Sequence, residues 1–479
     1  MPNARSKLPV RNPRTGENDY WITPTSTEQL RSLSAELRAS QRAWAALPLQ
    51  ERIAVMLRWA DAVERHANEI GDAEALDTAR QKLSHQVPHM VVDGIRGWCD
   101  KAPRMIESAM LKGTSTIYPQ VSFESQLKAM PLLGGISPWN HPFLLATIDA
   151  IPALIAGCAV IVKPSEIAPR FIAPVMKTIE EVPELHAVFR FIEGDGETGQ
   201  ALIDNVDALC FTGSVTTGRK VAESCARRFI PAFLEMGGKD AAVVTASADL
   251  DRAATAVLRS SVWATGQICF STERVYVHES VHDAFVERLS SRSNELKLSY
   301  PDPNKGHLAP YTFARQASIV DEHIDDALSK GAKLVAGGKS EEHGGGHYQR
   351  ATVLIDVNHD MKIMTEETFG PVTPVMRYAT EEEAIALAND SNYGLSAAVI
   401  AGSIDEARRI GEQLDAGAVA LQDAGITIAI LRDAEKNSFN LSGMGGSRMG
   451  PNGLLRFFRK KALVTNNGVP ADMRNMGEE

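Results

Sequence analysis

The sequence predicts an α/β protein of at least two domains, because of its length and of two regions where strands alternate with helices. A chain of 479 residues is too long for a single hydrophobic core. From residue 130 onward, short apolar stretches alternate with helical patterns, which is typical of βαβ units in a parallel sheet. The alternation starts again after Lys239, and we therefore place the domain boundary at Gly237-Gly238.

The residues before this region predict two helices and an extended segment. Ser26-Thr27-Glu28-Gln29 has the form of a capping box and opens a helix with Leu30, Leu33 and Leu37 on one face. Segment 113–129 is instead β-prone and half polar, as an exposed hairpin or arm would be. The second helix is predicted by apolar residues three and four apart: Ile53, Met56, Leu57, Ala60 and Val63.

In the alternating region, four apolar strands each end in a turn, and ligands of such parallel sheets bind at these strand ends. The predicted strands lie in 132–137, 158–166, 189–196 and 208–214, with helices starting near Pro142, Ala168, Glu197 and Val215. The second region predicts a strand, a turn and a long helix over 241–266, and continues through 273–292 and 332–339.

Composition and charge indicate an ordinary globular protein and argue against several partners. The net charge is −10 with no long basic run, which disfavours nucleic acid and anionic membranes as partners. The N-terminus has no apolar signal-peptide core, and Asp149, Pro152 and Gly157 interrupt the longest apolar segment. The five cysteines are widely spaced without a CxxC, so we expect a cytoplasmic protein with neither disulfides nor a metal site.

The stretch GQICFSTERVYV, residues 266–277, places Cys269 just before a strand-like run. A cysteine at such a position is commonly a small core residue, and on its own the stretch favours that interpretation. A cysteine held near a base can instead be a nucleophile.

Two further stretches contain residues suited to covalent catalysis. Asn140, in ISPWNHP, carries an amide that can donate to a developing oxyanion, whereas His141 is interpreted as a packing or pocket-lining residue. Glu235 precedes two glycines that allow a cofactor to approach closely, and a carboxylate there could act as a general base. An exposed loop glutamate is the alternative.

Three turns are candidates for contacts with a dinucleotide. In FTGSVTTG, Gly213 permits a tight turn and Ser214 opens a helix whose N-terminus can face a phosphate. In KPSE, Lys163 and Glu166 could hold the hydroxyls of a ribose, and the carboxylate would disfavour a 2′-phosphate. The stretch EETFGP could bind a second ribose. Taken singly, each is also compatible with an ordinary turn.

In this order, the stretches SPWN, KPSE, FTGS, EMGGK, GQIC and EETFGPV resemble the NAD(P)-dependent aldehyde dehydrogenases. The resemblance runs from about residue 12 to the end. It implies an aldehyde dehydrogenase-like fold with a Rossmann-like cofactor domain (1–112 and 130–237) and an α/β catalytic domain (238–445). It also implies a small β oligomerisation arm (113–129 and 455–479), and hence a homodimer or homotetramer.

The resemblance also implies roles for single residues. Cys269 is then the nucleophile, which forms a thiohemiacetal and a thioester, and Glu235 activates the water that hydrolyses the thioester. Asn140 and the backbone N–H of Cys269 form the oxyanion hole. NAD is the expected cofactor, with NADP possible, and its predicted contacts are Ile136, Pro138, Trp139, Lys163, Ser165, Glu166, Gly213, Ser214, Gly237, Glu367 and Phe369.

The substrate is predicted from the residues expected to line a tunnel. They are mostly apolar and include no arginine, so we predict a hydrophobic aldehyde, aromatic or medium-to-long aliphatic, rather than one with a second carboxylate. The C-terminal stretch EKNSFNLSGMGGSRMG departs from the family's usual PFGG-x-K-x-SG-x-G pattern beside the substrate entrance. The predicted pocket residues are His141, Leu144, Leu145, Ile148, Ile268 and Phe270, with residues 428–431 as further candidates.

Three alternatives stay open at this point. In a CoA-acylating aldehyde dehydrogenase, CoA rather than water would take the acyl group, although such enzymes tend to lack the base at Glu235. A cysteine esterase would use the same thiol without a nucleotide. A catalytically silent structural or binding protein on the same scaffold would have no use for Cys269, Glu235 and Asn140 together.

Overall fold

The computed structural model describes residues 5–476 and confirms the predicted α/β class. The capping box is present: the Gln29 backbone N–H donates to Ser26 Oγ at 3.2 Å, and the Ser26 N–H donates to Gln29 Oε1 at 2.9 Å. In the second helix the predicted apolar face is buried except for Leu57, which is exposed. The first elements are β1 (Leu8–Arg11), β2 (Asn18–Ile22), α1 (Thr27–Ala46), α2 (Leu49–Arg65), α3 (Ala67–Thr78), α4 (Gln81–Ala109), β3 (Lys112–Thr114) and β4 (Val121–Ala129).

The next region contains the predicted strand–helix alternation. The helix expected near Ala168 begins four residues later, because the Arg170 backbone N–H donates to the Asp77 carboxylate at 2.8 Å and holds a turn there. The elements are β5 (Leu132–Ile136), α5 (Pro142–Thr147), α6 (Ala150–Ala156), β6 (Ala159–Lys163), α7 (Ile172–Glu180), α8 (Pro183–His186), β7 (Phe189–Phe191), α9 (Gly196–Ile203), β8 (Ala208–Thr212), α10 (Val215–Arg228) and β9 (Ala232–Glu235).

The remaining elements form a second sheet and then return to the first. They are β10 (Asp240–Val244), α11 (Leu250–Val262), β11 (Thr272–His278), α12 (His282–Glu295), α13 (Arg315–Ser329), β12 (Lys333–Ala336), β13 (Glu341–His343), β14 (Gly346–Tyr348), β15 (Thr352–Ile355), α14 (Lys362–Thr365), β16 (Val372–Tyr378), α15 (Glu381–Asn389), β17 (Ala397–Ile400), α16 (Ile404–Gly411), β18 (Val419–Leu421), β19 (Gly443–Met444), α17 (Gly450–Leu455) and β20 (Phe458–Asn466).

The three largest sheets contain most of these strands, and β1-β2 and β13-β14 form two small antiparallel pairs. A six-stranded sheet has the order β19-β9-β8-β5-β6-β7 and is parallel from β9 to β7. A seven-stranded sheet has the order β12-β15-β16-β11-β10-β17-β18, and its edge strand β12 runs antiparallel to β15. The strands β20, β4 and β3 form a separate antiparallel sheet. Parallel strands direct their carboxyl ends to one edge, which places the motif residues together.

The chain passes between the two large sheets at the predicted domain boundary. Strand β9 ends at Glu235 in the six-stranded sheet, and β10 begins at Asp240 in the seven-stranded sheet. The exact domain limits stay predictions, and residues 1–4 and 477–479 of the proposed ranges lie outside the described residues. No helix within residues 5–476 is long and apolar enough to cross a membrane.

Candidate active site

The loop from β9 to β10 brings the Glu235 stretch against the Cys269 loop. A Cβ at Gly238 would lie 2.6 Å from the carbonyl oxygen of Cys269, so only glycine permits this approach. A Cβ at Gly237 would lie 2.1 Å from a carboxylate oxygen of Glu367. Three of the predicted stretches therefore meet around these two glycines.

Cys269 differs from the other cysteines in its exposure and in the charges around it. Its thiol is half-buried, and burial raises its pKa to about 12. The largest charge effect on the pKa comes from Lys436, which lowers it, while Glu235, Asp240 and Glu367 raise it. The other four cysteines are buried and free, in keeping with core packing: Cys99, Cys158, Cys210 and Cys225.

Asn140 lies beside the cysteine loop. Its Nδ2 donates to the carbonyl oxygen of Gln267 at 3.0 Å, two residues before Cys269, and its own carbonyl accepts from Arg80 Nη1 at 2.6 Å. Because an amide nitrogen carries two N–H groups, one donor of Asn140 remains for a further acceptor. The bond to Gln267 therefore fixes the Asn140 side chain, and the bond from Arg80 fixes its backbone.

Glu273 connects three of the predicted stretches, although sequence reasoning assigned it no role. Its carboxylate accepts from Lys239 Nζ at 2.7 Å and from the backbone N–H groups of Thr368 and Phe369 at 2.7 and 2.8 Å. Both Glu273 and Lys239 are buried, so this ion pair fixes the loop at 366–371 against the cysteine loop. The Phe369 ring packs edge-on against Trp139 at 5.5 Å between centroids.

We expect Glu273→Gln to lower the free energy of unfolding by about 3–5 kcal/mol, because it leaves the buried ammonium of Lys239 without a counter-charge. Urea denaturation followed by fluorescence measures the change. Glu322→Gln is the matched control, since it removes an exposed partner of Lys362 and should leave the unfolding midpoint almost unchanged. Equal effects of the two substitutions would contradict a structural role for the buried pair.

The carboxyl ends of β5, β6 and β8 present the predicted dinucleotide contacts at one edge. Lys163 Nζ is buried, donates to the Gly194 carbonyl at 2.8 Å and lies 3.6 Å from Glu166 Oε2. Ser214 caps α10, since its Oγ accepts from the Thr217 N–H. The Ser137 hydroxyl is buried there and has no protein partner. A free helix N-terminus, an orphaned hydroxyl and a Lys–Glu pair fit a phosphate and a ribose.

The other predicted cofactor contacts lie in the same elements. Ile136 ends β5 and Pro138 and Trp139 follow it, while Ser165 Oγ accepts the Ile167 N–H at 3.2 Å in the turn after β6. Gly213 lies between β8 and α10. Burial and the charge of Glu273 raise the pKa of Glu367 to about 8, so this side chain is mostly neutral at neutral pH.

The predicted pocket residues are only partly brought together. The His141 ring lies 6.1 Å from that of Trp263, and burial and the nearby Arg80 lower the His141 pKa to about 3, so the ring is neutral. Leu145 lines a small cavity with Ile136 at the edge of the six-stranded sheet. Ile148 and Ile268 are buried, whereas Leu144 and Phe270 are half-buried and residues 428–431 form part of an exposed turn.

The segment at 435–449 contains the functional candidates that sequence reasoning missed. Strand β19 pairs with β9, with Gly443 opposite Glu235, and the Met236 N–H donates to the Ser442 carbonyl at 2.8 Å. Ser438 Oγ donates to Glu235 Oε2 at 2.7 Å, and Lys436 Nζ donates to Ser438 Oγ at 3.1 Å. The only signal in the sequence was the departure of this stretch from the family pattern.

Comparisons with known proteins establish the family. A model of the aldehyde dehydrogenase family matches residues 1–463, and the chain belongs to that family. It is 33% identical over 474 residues to the "Putative succinate-semialdehyde dehydrogenase [NADP(+)]" of Mycolicibacterium smegmatis, covering 98% of this chain and 91% of the relative. It is 34% identical over 447 residues to the "4,4'-diapolycopene aldehyde oxidase" of a Methylomonas species, covering 91% of this chain and 82% of the relative.

The solved structures agree with this assignment. The structure of "Putative Aldehyde Dehydrogenase PutA" from Anabaena variabilis superposes with a TM-score of 0.94 at 47% sequence identity, covering 98% of this chain and 99% of that one. The predicted fold, with a Rossmann-like domain and an α/β catalytic domain, is thereby confirmed.

Proposed function

We propose that the protein oxidises an aldehyde to its carboxylic acid with NAD(P)⁺, using Cys269 as the nucleophile. The observation that supports this most is the convergence of Cys269, Asn140 and Glu235, from three distant segments, beside an edge suited to a dinucleotide. A thiol, an amide donor and a carboxylate are the groups that acyl transfer through a thioester requires.

In the first half of the reaction, the Cys269 thiol gives its proton to water in the crevice, and the sulfur attacks the carbonyl carbon. The oxyanion of the thiohemiacetal accepts hydrogen bonds from the free N–H of Asn140 and the backbone N–H of Cys269. The nicotinamide, when bound, supplies the hydride acceptor for conversion of this adduct to the thioester.

In the second half, Glu235 takes a proton from water, and the resulting hydroxide attacks the thioester carbon. The C–S bond breaks, the carboxylic acid leaves, and the released Cys269 thiolate takes up the proton held by Glu235, so that both groups return to their starting state. Ser438, which donates to Glu235, keeps the base at the end of β9. The presence of a carboxylate here also argues against the CoA-acylating alternative, which stimulation of turnover by CoA would support.

The cofactor is proposed to be NAD in preference to NADP. Lys163 and Glu166 would hold the adenosine ribose, and the half-exposed Glu166 carboxylate would repel a 2′-phosphate. The name of the mycolicibacterial relative contains NADP(+). The assay described below therefore compares NAD with NADP.

The proposed substrate is a hydrophobic aldehyde, aromatic or medium-to-long aliphatic. The apolar side chains of Leu144, Ile268 and Phe270 support this class. The Methylomonas relative is named for 4,4'-diapolycopene aldehyde. Lys436 favours a second candidate, an aldehyde that carries a carboxylate, and this agrees with the name of the mycolicibacterial relative.

A panel of benzaldehyde, long alkanals and succinic semialdehyde, assayed with NAD and with NADP, tests the proposal. We expect reduced cofactor to form, with the highest kcat/KM for a hydrophobic aldehyde and for NAD. Preference for succinic semialdehyde would replace the substrate proposal by the second candidate. Thiol-dependent ester hydrolysis without any reduction of cofactor would indicate the esterase instead.

We also propose a homodimer or homotetramer in the cytoplasm. The sheet of β20, β4 and β3 and the connection between β3 and β4 expose large apolar side chains, among them Val464 in β20 and Ile117 in the connection, which are 68% and 76% exposed. Exposed apolar side chains that form a patch are typical of subunit contacts. All five cysteines are free, which supports a reducing compartment.

A further inference from the structure

The segment at 435–449 crosses the proposed active site and is anchored on the strand that carries the base. The antiparallel pairing of β19 with β9 and the hydrogen bond from Met236 to Ser442 fix its backbone there. The C-terminal end of the segment is also fixed, because Arg448 donates to Asp149 Oδ2 and to Thr212 Oγ1, each at 2.7 Å. Side chains of this segment therefore have defined positions above the crevice.

Two of these side chains form a polar chain that ends on the base. Lys436 Nζ donates to Ser438 Oγ at 3.1 Å, and the Ser438 hydroxyl gives its hydrogen to Glu235 Oε2 at 2.7 Å. The hydroxyl thus accepts from a cation and donates to an anion, which is the arrangement that strengthens both bonds. Glu235 is the last residue of β9, shortly before two glycines. The hydrogen bond from Ser438 therefore restrains the Glu235 carboxylate at the point where the regular strand ends.

The same lysine and three acidic side chains act on the Cys269 thiol in opposite directions. Glu235, Asp240 and Glu367 approach Cys269 from three different elements, and each disfavours a thiolate. Lys436 opposes them and is the charged group with the largest effect on the thiol. Arg448, the other cation near Glu235, is engaged in its ion pair with Asp149.

We propose that Lys436 and Ser438 are positioning residues for the reaction: the Ser438 hydroxyl holds the Glu235 carboxylate in place, and the Lys436 ammonium, bonded to that hydroxyl, puts a positive charge beside the base and the adjoining cysteine loop. This inference rests on the proposed function, since it assigns the two residues to the proposed nucleophile and base. The stretch EKNS, residues 435–438, stands where the family commonly has a glycine-rich sequence, and the inference assigns a role to two of its residues.

The first test measures the thiol of Cys269 without turnover. A nearby cation favours the thiolate, so its removal raises the thiol pKa and lowers the thiolate fraction at every pH below that pKa. For Lys436→Met, we expect the alkylation of Cys269 by iodoacetamide between pH 7 and 9 to slow about three- to tenfold. Lys436→Arg should restore most of the rate, because it keeps the charge.

The controls for this test are chosen within the chain. Lys297→Met removes an exposed lysine and should leave the alkylation rate unchanged. Mass spectrometry of the alkylated peptide identifies Cys269, and the assay uses the full-length protein without cofactor. Equal alkylation rates for Lys436→Met and the wild type would overturn the role of Lys436, whether or not the protein oxidises aldehydes.

The second test measures the restraint on Glu235. We expect Ser438→Ala to lower kcat about three- to tenfold with a smaller change in KM, because a misplaced base slows hydrolysis of the thioester. Ser438→Thr keeps the hydroxyl and should recover most of the rate. If Ser438 served only in packing, recovery would not depend on the hydroxyl. If alanine and threonine at 438 gave equal rates, the positioning role would be refuted. An inactive wild type would instead refute the proposed function.

Discussion

Replacement of Cys269 by alanine is expected to lower aldehyde-dependent reduction of the cofactor by a factor of at least about 10⁴, because the proposed covalent adduct forms on its sulfur. The fold should survive, since Cys269 is half-buried and its loop is held by backbone and side-chain contacts that do not use the thiol. Spectrophotometric assay at saturating aldehyde measures the activity, and circular dichroism measures the fold.

A matched cysteine variant distinguishes loss of the nucleophile from loss of a thiol in general. Cys99 is buried in α4, and burial raises the pKa of its thiol to about 12, so we expect Cys99→Ala to keep most of its turnover. Full activity of Cys269→Ala would refute the proposal that Cys269 is the nucleophile of aldehyde oxidation. Inactivity of both variants with intact wild-type activity would point to a stability effect.

The strands, helices and most of the motif positions could be predicted because they depend on local patterns. Asn140 follows β5, Lys163 ends β6 and Glu235 ends β9, as the alternation of apolar stretches and turns indicates. A parallel sheet gathers such strand ends at one edge whatever the details of packing. Order along the chain and one general rule of topology were therefore enough to predict that these positions lie at one edge of the sheet, whereas their roles were predicted from the family resemblance.

The contacts of the C-terminal segment could not be predicted in the same way. Ser438 and Glu235 are 203 residues apart, and the strand that joins them, β19, has only two residues and no recognisable period. Glu273 was not recognised for a related reason: it lies within the buried strand β11, and its partners Thr368 and Phe369 are 95 and 96 residues away in the sequence. Such long-range hydrogen bonds depend on how loops that are distant in the sequence pack together in the folded protein.

The structure also changes the electrostatic description of the site. From the sequence, the residues expected to line the tunnel were mostly apolar and included no arginine, and this favoured a hydrophobic substrate. In the structure, Lys436 is the charged group with the largest effect on the Cys269 thiol, and His141 is neutral and packs near Trp263. Substrate preference therefore depends on whether Lys436 is occupied by Ser438 and the surrounding carboxylates or is available to a substrate anion.

Glu235→Gln is expected to lower the steady-state kcat by about 10²- to 10⁴-fold, the usual contribution of a general base, while the first turnover persists. The amide oxygen of glutamine can still accept the hydrogen bond from Ser438, so the side chain should keep its place without being able to take a proton from water. Stopped-flow absorbance should show a rapid burst of about one reduced cofactor per site, because the thioester forms and then accumulates.

Glu235→Gln should also change the pKa of the Cys269 thiol, and the charges around the thiol determine the direction of the change. The Glu235 carboxylate raises the pKa of Cys269, so its neutral replacement should lower that pKa and speed alkylation of Cys269 by iodoacetamide at neutral pH. Slow hydrolysis together with fast alkylation would be a signature that a folding defect cannot produce, because unfolding would abolish the burst. A Glu235→Gln enzyme without a burst, or with unchanged hydrolysis, would show that another group activates the water.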